Sequence, residues 1–253
     1  MRWTTIERDL RTQHGPLIAG MDEVGRGPLA GPVVACAVVM PPDRRAMPGI
    51  NDSKKLSAKN REKMAVKIMA HALGIGIGAA SVREIDRFNI YQASVLAMRR
   101  ALRRLPVVPN HVVVDGKAIR TLDTGHTAVV HGDARCYSIA CASIVAKITR
   151  DRVMHALATR YPGYVWEDNV GYATAAHLRA IGQLGITPHH RRSFLPVSQL
   201  SLDLIGQADV QIDPAQLASL IEQAESDLPQ VIVPALPDIV SPDTAAAAVN
   251  PPN

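Results

Sequence analysis

The run Pro32-Val-Val-Ala-Cys-Ala-Val-Val-Met40 contains no polar side chain, and it restricts the architecture more than any other segment. It falls far short of the ~18 apolar residues of a membrane span. Flanked by Gly31 and by Pro41 and Pro42, it reads as a strand buried inside a layered domain. Residues 17–21 form a second apolar run just before it. Residues 74–82 alternate small and apolar side chains, 112–114 are β-branched, and 127–130 make a fifth candidate strand. Helical spacing fills the intervals. Ser57 is a fitting N-cap for a helix running to Leu73, with Gly74 as its stop. Residues 89–105 are amphipathic, with Arg99, Arg100, Arg103 and Arg104 outward. Residues 138–160 form a long helix rich in Ala, Ile and Val, and 174–184 a shorter one closed by Gly185. Five strands interleaved with helices make the chain α/β.

Charge divides the chain. All 28 basic residues precede Asp203, together with 15 of the 23 acids, which leaves a net +13 on residues 1–202. A body this basic suits a polyanionic partner, nucleic acid first, because clustered Lys and Arg release counterions from phosphates. Beyond residue 203 the pattern changes. Asp213 and Pro214 open a helix over 214–225, and after residue 229 proline recurs beside an alanine run with no basic residue, a composition that does not offset its own ordering entropy. The expected division is therefore a catalytic unit over 1–228 and a Pro/Ala-rich tail over 229–253. The N-terminal residues lack the apolar block of a signal peptide, so a cytoplasmic location is expected. Cys36, Cys136 and Cys141 are odd in number and include no Cys-x-x-Cys pair. They read as buried small apolar residues rather than disulfide or zinc ligands.

The chemistry concentrates at strand ends. Asp22 and Glu23 close the first strand, Asp115 closes the strand at 112–114, and Asp133 precedes the long helix. If the first and fourth strands are neighbours, their ends stand ~5 Å apart. Four carboxylates on one sheet edge repel one another unless hard cations neutralise them. A pair of Mg²⁺ ions held there suits in-line phosphoryl displacement. Gly25, Gly27 and Gly31 loosely imitate a dinucleotide-binding loop, but Pro28 and Pro32 interrupt the segment and a strand follows where that fingerprint needs a helix. The glycines instead let backbone amides approach a sugar or phosphate closely, with Arg26 beside them.

These segments resemble the ribonuclease HII family, the type 2 ribonucleases H. The resemblance begins at Ile18-Ala-Gly-Met-Asp22-Glu23-Val-Gly25-Arg26-Gly27-Pro28-Leu-Ala-Gly31-Pro32. It continues through Asn51-Asp-Ser-Lys54-Lys55-Leu56, Val114-Asp115-Gly116, Gly132-Asp133, residues 142–151, Gly171-Tyr172-Ala-Thr174 and His189-His190-Arg191-Arg192-Ser193-Phe194. It implies a ribonuclease H-like fold, a five-stranded mixed sheet flanked by helices with a small helical C-terminal portion. It also implies endonucleolytic cleavage of RNA–DNA hybrids and, 5′ of an embedded ribonucleotide, of duplex DNA, leaving 3′-hydroxyl and 5′-phosphate ends. Asp22, Glu23, Asp115 and Asp133 would be the catalytic acids and would bind Mg²⁺ or Mn²⁺. Gly25, Arg26 and Gly27 would read the ribose 2′-hydroxyl, Tyr172 would stack on the following sugar, and Lys54 would contact a phosphate. A monomer is expected.

Other roles are weighed beside these. A nucleic-acid-binding protein that kept the fold without catalysis would be expected to lose one acid, and none is missing. A metal-dependent exonuclease would share the acids but leave Gly25-Arg26-Gly27 and Tyr172 without a purpose. His189 and His190 read as a basic surface turn, since adjacent residues rarely share a metal. Asp151, beside Arg150 on the long helix, reads as half of a structural ion pair.

Overall fold

The computed structural model describes residues 4–50, 53, 56–195 and 197–198. Lys54, the helix expected over 214–225 and the tail from 229 lie outside the described residues. In chain order the elements are α1 (Thr5–His14), β1 (Ile18–Val24), β2 (Val33–Val39), α2 (Ala58–His71), β3 (Gly74–Ala80), α3 (Val82–Arg103), β4 (His111–Asp115), β5 (His126–Val129), α4 (Gly132–Arg135), α5 (Tyr137–Arg160), α6 (Trp166–Asn169) and α7 (Ala175–Leu184). The five strands form one sheet in the order β3-β2-β1-β4-β5. β1 runs antiparallel to β2 and β2 to β3, while β1, β4 and β5 are parallel.

The long apolar run is explained by β2 being covered on both faces. Val34, Cys36 and Val38 pack with α2 and α5 on one side. Val33, Ala35, Ala37 and Val39 pack with α3 on the other. On the first side α5 lies directly on β1, where a Cβ built on Gly20 would stand 2.1 Å from the Ser138 carbonyl carbon. The three cysteines are buried thiols, and burial raises Cys136 to about 12 and Cys141 further still, which keeps them protonated and inert.

Several helices differ from the expectation: the one-turn helices α4 and α6 were not foreseen, α2 ends at His71 so that Gly74 opens β3 instead of stopping the helix, and α1 and α3 depart further. α1 was not anticipated, although Thr4-Thr5-Ile6-Glu7 carries a capping box that the structure forms. Its Glu7 is fully buried and also holds α5: the carboxylate accepts from the Tyr137 amide (3.1 Å), the Ser138 amide (2.8 Å) and the Ser138 hydroxyl (2.7 Å). A carboxylate against the first turn satisfies amides that a helix leaves unpaired and complements its dipole. α3 begins at Val82 rather than near 89, because Ser81 and Glu84 form a second capping box. Asn89, at φ +69°, kinks it and accepts the Gln92 amide. The amphipathic repeat visible from residue 89 is thus the second limb of a bent helix.

Candidate active site

The parallel pairing of β1 with β4 decides where the acids meet. Met21 is paired with Val114, so one step further along the register sets Asp22 beside Asp115. Strand alternation then places both on the α5 side, because Gly20 contacts α5 and Val113 packs with Ile139. Asp22 is buried. Its carboxylate accepts from the Glu23 amide at 2.8 Å, and the Ser143 hydroxyl, which lies 2.9 Å from Ser53 Oγ, favours its charged form. Glu23 follows on the opposite side of the strand and is held by Arg26, Nη1 to Oε1 3.2 Å. Asp115 accepts the Gly132 amide at 2.6 Å, next to the buried Asp133.

Burial raises the Asp22 carboxyl well above the usual range, and repulsion from Glu23 and then Asp115 adds to this. Burial raises Glu23 too, with Arg26 opposing and Asp115 assisting. Among the described residues no three His, Cys, Asp or Glu side chains close round a common point, as like charges turned toward separate donors do. The donor set is all oxygen, and one buried member, Asp22, is repelled by two further carboxylates, Glu23 and Asp115. That chemistry fits hard divalent cations.

The loop after β1 is braced from beneath by two buried guanidiniums, Arg150 and Arg191, a role that the sequence does not reveal. Arg150 of α5 donates to the carbonyls of Pro32 (3.0 Å), Val170 (2.9 Å) and Ala30 (3.0 Å). Arg191 donates to those of Gly31 (3.0 and 2.8 Å), Arg26 (2.9 Å) and Gly25 (2.5 Å). Among the described residues every hydrogen bond of these two groups goes to a backbone carbonyl. Burial lowers Arg150 to about 10 and Arg191 to about 9, and the Arg150 charge adds to the fall at Arg191. Both therefore stay charged near neutral pH. A planar fork with five donors can bind several carbonyls at once, as a lysine cannot. With those carbonyls engaged by the guanidiniums, the loop presents the exposed Arg26 side chain to solvent.

The second wall of the site is the turn that carries Tyr172. The Leu29 amide donates to Gly171 O (2.8 Å) and the Gly31 amide to His189 O (2.9 Å). A Cβ on Gly27 would meet Tyr172 Cε1 at 3.7 Å. Gly27 and Tyr172, far apart in sequence, are neighbours, and the tyrosine is 44% exposed. Leading into it, Val165 and Val170 both hold positive φ, +58° and +42°. For β-branched residues this costs about 1–3 kcal/mol each, and such strain persists only where the surroundings enforce it.

Two expectations are corrected here. His189 and His190 are buried, not a surface turn; they pack among Tyr161, Tyr164, Trp166 and His177. Burial lowers His189 to about 4 and His190 to about 3. Asp151 does form a structural ion pair, but with Lys147 (2.5 Å) and Arg61 (3.5 Å) rather than its neighbour Arg150. Lys54 lies outside the described residues.

The sequence model of a family described as Ribonuclease HII matches residues 19–197. A ribonuclease HII of Paracoccus denitrificans is 56% identical over 204 residues, covering 79% of this chain and 96% of that protein. One of Jannaschia sp. is 52% identical over 196 residues, 77% of this chain and 96% of that one. Among solved structures, the ribonuclease H2 of Pyrococcus horikoshii superposes with a TM-score of 0.62 at 24% identity, over 76% of this chain and all of that one. Bst-RNase HIII in complex with Mn²⁺ gives 0.57 at 20% identity, over 78% of this chain and 73% of that one. These two likenesses concern the fold.

Proposed function

The chain belongs to the ribonuclease HII family, and on that footing we propose which of its residues carry the reaction. The activity is metal-dependent endonucleolytic hydrolysis of the RNA strand of RNA–DNA hybrids and of duplex DNA at embedded ribonucleotides. Asp22, Glu23, Asp115 and Asp133 would hold the metal. Mg²⁺ and Mn²⁺ both suit an all-oxygen set, and the fold neighbour solved with Mn²⁺ supports the second. Two such ions held by these four carboxylates would supply the charge stabilisation that an in-line phosphoryl displacement needs, a reaction that would leave 3′-hydroxyl and 5′-phosphate ends.

The chain's own groups do the recognition. Gly25, Arg26 and Gly27 offer amides and a guanidinium to the ribose 2′-hydroxyl, the group that distinguishes RNA from DNA. Tyr172 stacks on the next sugar, and Lys54 contacts a phosphate. The observation that carries this reading is the adjacency of Gly27 and Tyr172 beside the acids at the ends of β1 and β4. Its test is a duplex DNA with one ribonucleotide: the cut should fall on the 5′ side of that nucleotide and leave a 5′-phosphate, and a cut elsewhere contradicts the assignment.

The two glycines separate fold from recognition. Gly25 sits at φ +89°, and a Cβ there would stand 2.2 Å from Arg150 Nε, so Gly25→Ala is expected to lower the melting temperature. Gly27→Ala makes an ordinary contact with the Tyr172 ring and should melt like the parent, yet cleave an embedded ribonucleotide about tenfold more slowly because a methyl group blocks the backbone's approach. Equal cleavage by the Gly27 variant would remove that loop from the recognition surface.

We also propose residues 1–228 as the catalytic unit, with 229–253 outside it. Truncation after Leu228 should leave cleavage within about twofold of the full chain. No described helix is long and apolar enough to cross a membrane. A cytoplasmic location follows from the nucleic-acid substrate. A monomer is supported by helices covering both faces of the sheet, and sedimentation would test it.

A further inference from the structure

Behind Tyr172 lies a buried polar chain whose proton positions can be assigned from geometry. Trp166 Nε1 is 2.9 Å from His177 Nε2, and an indole nitrogen only donates. His177 Nε2 is therefore a lone pair, and the neutral ring carries its proton on Nδ1, which lies 2.8 Å from Tyr172 O. A second path gives the same answer. The Thr187 amide donates to His190 Nδ1 at 2.9 Å, so the neutral His190 carries its proton on Nε2, 3.1 Å from the same His177 Nε2. Two donors thus fix one tautomer of His177. Burial, which lowers both rings, agrees with their being neutral.

The acceptor at the end of this chain is the main chain of an exposed residue. Tyr172 O also accepts the Thr174 amide at 2.8 Å, and the Tyr172 amide donates to Asn169 O at 2.9 Å. Asn169 in turn accepts the Gly171 amide and donates to Tyr164 O, each at 2.8 Å. The strained valines lie in the same turn. The backbone of Tyr172 is held on both sides while its ring faces outward toward Gly27. Fixing a recognition group before the ligand arrives avoids ordering it during binding.

We infer that His177, locked as its Nδ1–H tautomer by Trp166 and His190, is a positioning residue that sets where the Tyr172 ring meets the substrate. This rests on the reading of Tyr172 as a substrate contact. His177 is fully buried and acts through Tyr172 alone.

The test uses two variants that divide the ring's functions. In His177→Asn the side-chain amide nitrogen replaces Nδ1 and keeps the donor to Tyr172, while Trp166 Nε1–H and His190 lose their acceptor. In His177→Gln the amide oxygen replaces the Nε2 acceptor and the donor to Tyr172 is lost. The Asn variant should melt lower yet keep kcat/KM on a single embedded ribonucleotide within about threefold of the parent, and the Gln variant should melt higher than Asn yet lose about tenfold, the worth of one hydrogen bond. Added to Tyr172→Ala, His177→Gln should cause no further loss. Activity that follows melting temperature, or a further loss on top of Tyr172→Ala, overturns the inference. Wild-type cleavage by Tyr172→Ala alone would instead defeat the reading of Tyr172 and the inference with it. Should either His177 variant fail to fold, ¹⁵N spectra of the parent decide: an Nδ1–H signature for His177 sustains the inference, and an Nε2–H signature overturns it.

Discussion

Replacing Asp22 or Asp115 by asparagine is expected to abolish cleavage while the protein stays folded, on the proposed assignment of both as metal ligands. Each substitution removes one anionic ligand and almost no volume. The charge stabilisation supplied through such ligands is several kcal/mol, a loss of about a thousandfold or more in rate. Stability should move the other way. Asp22 is buried and repelled by Glu23 and Asp115, which raises its carboxyl well above the usual range. Its charge at neutral pH therefore works against the metal-free fold. The metal-free Asp22→Asn protein is expected to melt no lower than the parent, and to lose the upward shift in melting temperature that divalent metal gives the parent. Substantial Mg²⁺- or Mn²⁺-dependent cutting by either variant would contradict the placement of the metal at β1 and β4.

What could be read from the sequence was whatever repeats locally. The apolar run of β2, the β-branched β4 and the glycine stop at Gly185 each carry their signal within a few residues. The acids could be placed because strand ends in a parallel pair are forced together, so Asp22 and Asp115 needed only the guess that β1 and β4 are neighbours. Arg150 and Arg191 could not be placed that way. Their partners are carbonyls of Gly25, Arg26, Ala30, Gly31, Pro32 and Val170, and a backbone acceptor has no side-chain identity in the sequence. His189 and His190 misled for a related reason: two histidines before two arginines look solvent-exposed, and only the packing of Tyr164 and Trp166 around them shows otherwise. α1 and the start of α3 were legible in principle. Thr4-x-x-Glu7 and Ser81-x-x-Glu84 are both capping boxes, and in α3 the kink at Asn89 breaks the apolar repeat that would otherwise extend back to Val82.

Arg191→Met should be the most damaging change outside the acids. The substitution keeps approximate length and apolar bulk but strips donors from the carbonyls of Gly25, Arg26 and Gly31. Each buried carbonyl left unsatisfied costs about 1–3 kcal/mol, so the sum approaches a large part of the ~5–15 kcal/mol that holds a typical domain folded. For a chain of this size that predicts a melting temperature lower by about 10 °C or more. Cleavage of an embedded ribonucleotide should fall as well, because the loop proposed to read it loses its inner support. Arg191→Lys keeps the charge but not the fork, and should recover only part of the loss. An Arg191→Met protein with the parent's melting temperature and activity would show that the loop keeps its shape unaided.

The most direct measurement compares three matched duplexes carrying no ribonucleotide, one, or several in a row. If Gly25-Arg26-Gly27 reads a 2′-hydroxyl and Tyr172 the next sugar, one ribonucleotide suffices for recognition and its absence leaves buried polar groups unpaired. The all-DNA duplex should survive while both others are cut. Equal cutting of all three would contradict the account.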